Sequence, residues 1–170
     1  MIRMKVMIVY YSRTGNTRLV AEKIADGSRA EIEEIRDKEN RGGVFGFLKS
    51  GHEAIFKKFV DIRPINKNPE EYDLVAIGSP VWAGGLSSPV RSYMALYGRK
   101  IKNVAFFVTY GVNKGKIFGH MEDLSNSPIA TLEVKEKEVK SGEYTEKVEM
   151  FLQEVKTWFS RAVKEKKRKR

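Results

Sequence analysis

Three runs of this 170-residue chain are apolar almost throughout, and each gives way to a glycine-bearing polar loop and then to a helical pattern. They are residues 5–11 (KVMIVYY), 72–77 (YDLVAI) and 104–109 (VAFFVT), short and rich in β-branched and aromatic residues. Near-continuous apolarity, as opposed to alternation, is the pattern of strands covered on both faces. After the first run, Val20, Ala21, Ile24 and Ala25 recur at helical spacing, and Gly27 stops that helix. Helices are expected over 89–96 and 116–124 after the other two runs. Residues 30–35 alternate as a short second strand, and 129–139 alternate as a later strand with one face to water. Tyr144, Val148, Phe151, Val155 and Trp158 then form a stripe at spacings of four and three, the core face of a closing helix. Strand, loop and helix repeated in this way give an α/β fold, a parallel sheet with helices on both faces.

Composition narrows the chemistry. There is no cysteine, which excludes disulfides, thiolate catalysis and cysteine-ligated clusters. His52 and His120 are far apart and show no metal-ligand spacing. The apolar opening residues are too few for a membrane span of roughly 20 residues and carry no small-residue cleavage site, so the expectation is a soluble cytoplasmic protein. The formal charge is +10, of which residues 161–170 hold +6, leaving the body only mildly basic. The expected organisation is one domain over 1–160 and a basic, disordered tail over 161–170. Residues 37–64, with Gly42, Gly43, Phe45, Phe47, His52, Ile55, Phe56 and Phe59, read as a glycine-rich turn followed by an aromatic-bearing helix.

Open parallel sheets bind ligands at the carboxyl ends of their strands, where the strand order reverses. The first loop at such an end is Ser12, Arg13, Thr14, Gly15, Asn16 and Thr17. Three hydroxyls, an amide and the unpaired N–H groups of a helix start make a phosphate cradle, and Gly15 lets the backbone close round an anion. A helix cap alone needs one such residue, not four flanking a glycine. The nucleoside-triphosphate pattern GxxxxGK[ST] is absent. No aspartate ends the first or third buried strand, which disfavours a phospho-receiver domain.

Residues 10–25, YYSRTGNTRLVAEKIA, resemble the phosphate-binding signature of the flavodoxin family, whose T/S-x-T-G-N-T hallmark Ser12 to Thr17 meets at every fixed position. That resemblance implies a flavodoxin-like three-layer α/β/α sandwich with a five-stranded parallel sheet of order 2-1-3-4-5, and FMN bound without a covalent bond. The second loop, within IGSPVWAGGLSSPV, is similar to the family's flavin-flanking loop and nominates Pro80, Val81, Trp82, Ala83 and Gly84. Trp82 is expected in a loop, stacked on the isoalloxazine ring. Members of the family turn a peptide carbonyl of this loop toward flavin N5 when the ring gains a proton, and the Ala83–Gly84 peptide matches that position. The third loop nominates Thr109, Tyr110 and Gly111, which in the family cover the ring and bond its pyrimidine edge; an ordinary turn reads nearly as well. A second ring contact could come from Tyr110, Tyr11 or Phe118. Acidic residues typical of electron-carrying flavodoxins are missing here, and Lys114 and Lys116 stand instead, giving an expected basic rim that favours the anionic reduced ring.

The resemblance implies an FMN protein that carries electrons between redox partner proteins with acidic faces. The alternative is an NAD(P)H-dependent FMN or quinone oxidoreductase on the same fold, with residues 42–59 walling a substrate pocket. A module with a degenerate, empty site is the third class. Nucleic-acid binding is disfavoured, because no aromatic interrupts the basic tail.

Overall fold

The computed structural model describes residues 4–38, 48–50, 52 and 58–168. In chain order these form β1 (Val6–Tyr10), α1 (Asn16–Ser28), β2 (Glu31–Glu34), β3 (Leu74–Trp82), β4 (Gly85–Leu86), α2 (Ser88–Tyr97) and β5 (Val104–Tyr110). There follow α3 (Ile117–Glu122), β6 (Thr131–Lys135), α4 (Glu136–Ser141) and α5 (Tyr144–Arg168). The sheet runs β2-β1-β3-β5-β6, every pair parallel, with the two-residue β4 antiparallel to the end of β3. Counting the parallel strands alone, this is the expected order 2-1-3-4-5.

The strand period of two divides the core. Val6, Ile8 and Tyr10 of β1 face one side, with Val20, Ala21 and Ile24 of α1 and Val148, Phe151 and Val155 of α5. Met7 and Val9 face the other, with Val90, Tyr93 and Met94 of α2 and Ile117 and Met121 of α3. β1, β3 and β5 are buried on both faces, which is why their sequences read as runs and not as alternation. Gly78 is required in the middle of β3, because a Cβ there would lie 2.1 Å from the Phe107 ring.

Three expectations are corrected. The last strand ends at Lys135, and 136–141 is helix α4; the Lys135 N–H donates to the Glu138 carboxylate at 2.7 Å, starting the helix and turning Val139 back to the core. Trp82 and Tyr110 are terminal strand residues, not loop residues. α5 continues through the basic run to Arg168; Lys, Arg and Glu are good helix formers, and cations suit a helix C-terminus. The glycine-rich turn expected at Gly42 and Gly43, with Phe45, Phe47, Ile55 and Phe56, lies outside the described residues. Among neighbours that are described, Phe59 is exposed, and the Val60 N–H donates to the Ser92 hydroxyl of α2 at 2.8 Å. No helix among the described residues is long and apolar enough to cross a membrane.

Candidate functional site

The loops after β1, β3 and β5 meet at the carboxyl edge of the sheet, where the connections from the central β1 and β3 leave toward opposite faces. In the first loop the N–H groups of Gly15 and Arg18 converge on one acceptor, the Ser12 hydroxyl, at 3.1 and 3.3 Å. Gly15 takes φ +96°, a left-handed conformation that suits glycine, and from it α1 starts with no side-chain cap and no acidic residue in its first turn. Backbone donors converging at a helix N-terminus are an arrangement that suits an anion. Thr14 is exposed, while Ser12, Arg13 and Asn16 are half-buried. Thr17 is buried, and its hydroxyl lies 2.7 Å from that of Thr109 on β5. This bond ties the first loop to the third.

Arg18 is directed away from the loop. Its guanidinium bonds the Glu34 carboxylate of β2 at 2.5 Å, and this pairing, with a second bond to Tyr10, raises its pKa further. Burial raises the Tyr10 pKa as well, against the opposing Arg18 bond. Arg18 is thus committed to the β1–β2 edge.

The second loop is shaped by a hairpin. Val81 pairs with Leu86 and Trp82 with Gly85, so that Ala83 and Gly84 form a two-residue turn with φ +48° and +73°. Positive φ at both central residues is the type I′ arrangement that fits the twist of a hairpin. The Ser79 and Ser87 hydroxyls lie 2.9 Å apart, fastening the end of β3 to the start of α2. Trp82 is 7% exposed and meets the Tyr11 ring edge-on, with centroids 5.6 Å apart. Pro80 is half-buried and pairs with Thr109.

A cleft of about 830 Å³ opens between the second and third loops. Val81, Trp82, Ala83 and Gly84 line one side, and Gly111, Val112 and Asn113 the other. Leu48 and His52 complete the lining together with Glu136. Beside the cleft the Gly84 and Gly115 backbones nearly touch, and a Cβ on Gly115 would lie 2.2 Å from the Gly84 carbonyl oxygen. Tyr110 is buried beside the cleft at the end of β5. Phe118 stacks on Phe106 and is half-buried against the core on the α2–α3 side, the cluster that also holds Tyr11. None of the three aromatic candidates for a second ring contact lines the cleft.

Charge around the cleft differs from the sequence expectation. Lys114 is ion-paired with Glu133, so its charge is compensated. Glu136 brings a carboxylate into the lining, about 4 Å from where a Gly111 Cβ would stand. Among the described lining residues the charge is carried by Glu136, and neither Lys114 nor Lys116 lines the cleft. Sequence reasoning missed Glu136 because the α4 start was read as strand; the acceptor role of Glu138 toward Lys135, three residues earlier, was the available signal.

No family model matches the chain. One curated relative, an NAD(P)H dehydrogenase (quinone) of Archaeoglobus fulgidus, is 29% identical over 103 residues, 56% of this chain. The chain spans about half the length of that relative, 52%. Among solved structures, a flavoprotein of Lactobacillus acidophilus in complex with FMN is 26% identical with a TM-score of 0.64, covering 81% of this chain and 97% of its own. A protein of Bacteroides eggerthii matches with a TM-score of 0.68 at 21% identity, over 81% of this chain and 94% of its own. Oxidised flavodoxin 1 of Bacillus cereus matches at 0.53 and 19%, over 89% and 97%. With the strand order 2-1-3-4-5, helices on both faces and these neighbours, the chain is a flavodoxin-like α/β protein.

Proposed function

We propose that this protein binds FMN at the three loops and works in electron transfer. The observation that carries the reading is a pair of unlike half-sites tied together. Amides converge on the uncapped start of α1, and the Thr17–Thr109 bond joins that start to the strand ending at an apolar cleft. The first half suits a phosphate and the second a flat heterocycle; a flavin mononucleotide has both parts.

FMN, when bound, supplies the redox chemistry, and the protein supplies grip, orientation and electrostatics. Ser12, Arg13, Thr14, Gly15, Asn16 and Thr17 would hold the phosphate. Pro80, Val81, Trp82, Ala83 and Gly84 would flank the ring on one side, with Thr109, Tyr110 and Gly111 on the other. The buried Trp82 and half-buried Val81 limit water at that end, while Glu136 disfavours added negative charge in the cleft. A mildly basic body fits partners with acidic faces, their association weakening as salt rises.

Titrating FMN into the purified chain quenches both tryptophan emission and flavin fluorescence and shifts the flavin absorbance. A spectrum unchanged at saturating FMN would end this reading. The similarity to a quinone dehydrogenase supports a second reading, an NAD(P)H-dependent quinone oxidoreductase. Steady NAD(P)H oxidation by the FMN-loaded chain with quinone and no partner protein would select it over the carrier.

The hairpin turn carries a separate expectation. Rotating the Ala83–Gly84 peptide converts a type I′ turn to type II′, whose first central position is a glycine position. Gly84 tolerates either state, but Ala83 resists the rotated one by on the order of 1–3 kcal/mol. If reduction of the flavin uses that rotation, Ala83→Gly raises the reduction potential by tens of millivolts, since a tenfold change in equilibrium is 59 mV per electron. Equal potentials in the two proteins, measured by redox titration, would remove this peptide from the mechanism.

A further inference from the structure

The end of the molecule away from the candidate flavin site carries a second groove. It has a volume of about 450 Å³ and lies at the amino ends of β3 and β5, where Asp73 and Asn103 precede the strands. The distance from the first site is the length of β3, nine residues at about 3.3 Å each. The other wall is the last part of α5: Trp158, Phe159, Ala162 and Val163, with Lys166 and Lys167 at its end.

The apolar stripe of α5 runs on past what the sheet can cover. Val148, Phe151, Leu152 and Val155 are buried against the core, whereas Trp158, Phe159, Ala162 and Val163 continue the same stripe only half-buried. Soluble helices seldom leave a large aromatic pair and two aliphatic positions in register without a covering partner. The end of the sequence is strongly basic, residues 161–170 holding seven basic groups and one acidic group. Asp73 in the groove lining accepts the Lys5 N–H at 2.8 Å.

We propose that this groove is a docking site for a partner protein and that its occupant is a short acidic segment with apolar anchors. The apolar groups would seat between Trp158 and Val163, and the carboxylates would reach Lys166, Lys167 and their basic neighbours. Charge complementarity selects this occupant over a second copy of the chain, because pairing two such helix ends sets like charges together. A lipid surface fits less well. The outward side of this helix is polar and exposed, at Gln153, Lys156, Thr157, Ser160 and Lys164, while the apolar stripe turns inward to the groove. A nucleic acid would find lysines but an apolar floor. Docking here leaves the flavin end open, so the site would tether the protein near a partner and not itself form the redox contact. The proposal does not depend on the flavin reading.

The test is selection of a displayed library of random 12-residue peptides on the full chain, followed by calorimetry with the enriched peptides. Enriched sequences are expected to combine Asp or Glu with aromatic or aliphatic residues, and to bind several-fold more weakly when salt rises from 50 to 300 mM. Val163→Glu is expected to weaken them at least tenfold. Because Val163 is half-buried, the exposed pair Lys166→Glu and Lys167→Glu serves as a second variant and should weaken them as much. Both proteins should keep the far-UV circular dichroism and the FMN uptake of the parent. A selection that enriches nothing, or that enriches neutral or basic peptides, overturns the proposal. So does binding to both variants as tight as to the parent chain. Phosphatidylserine vesicles, an oligouridylate or a self-dimer showing the Val163 dependence in place of the peptides overturns it in favour of that occupant.

Discussion

Thr14→Asp lowers FMN affinity by one to three orders of magnitude and leaves riboflavin, which lacks the phosphate, bound as before. Thr14 stands exposed in the loop whose amides converge ahead of α1, so an aspartate there sets a second negative charge beside the phosphate. At 4 Å two like charges repel by about 1 kcal/mol in bulk water and about 4 kcal/mol at an effective dielectric near 20. A half-exposed site lies between those limits, and each 1.4 kcal/mol is tenfold in affinity. Fluorescence titrations with the two flavins separate phosphate grip from ring contact. Equal loss for both would place the phosphate elsewhere and sever the first loop from the ligand.

Gly78→Ala destabilises the fold by about 3 kcal/mol, at the upper end for an overpacked core. The new methyl carbon would lie 2.1 Å and 2.2 Å from two atoms of the Phe107 ring, which is fully buried and cannot swing aside. For a chain of this length the melting temperature should fall by roughly 6–12 °C. Phe107→Leu removes part of the ring and should recover much of the loss, so the double variant falls well short of the sum of the single ones. Strictly additive losses in thermal or denaturant unfolding would show that the two residues do not meet as described. Gly78 directly precedes Ser79 and Pro80, so the same change should also loosen FMN binding.

The strands covered on both faces were legible because burial leaves a run of apolar residues that needs no partner to be recognised. The first loop was legible for a different reason: several small polar residues round one glycine exceed what a helix cap requires. The carboxyl end of β3 was not. Gly78 and Pro80 read as breakers, yet the strand passes through both to Trp82. The Gly78 carbonyl accepts the Tyr11 N–H, so Pro80, two residues on, directs its nitrogen to the same side, beyond the end of β1. Its missing N–H leaves no ladder bond unmade. Which neighbour has already ended is a property of the whole sheet, invisible in a local window. The length of β6 failed similarly. Val139 keeps the alternation alive in sequence, but it returns to the core from a helix held by Glu138, not from a longer strand.

The close approach of Gly84 and Gly115 beside the cleft, finally, has a consequence for altering its size. Gly84 and Gly115 come from different loops, and the Gly84 carbonyl oxygen stands where a Gly115 side chain would have to go, 2.2 Å from its Cβ. The loop that carries Gly115 thus has no room for a side chain against the hairpin turn. A designer wishing to admit a thicker guest would therefore begin at position 115, where an added methyl acts as a spacer that pries the loops apart.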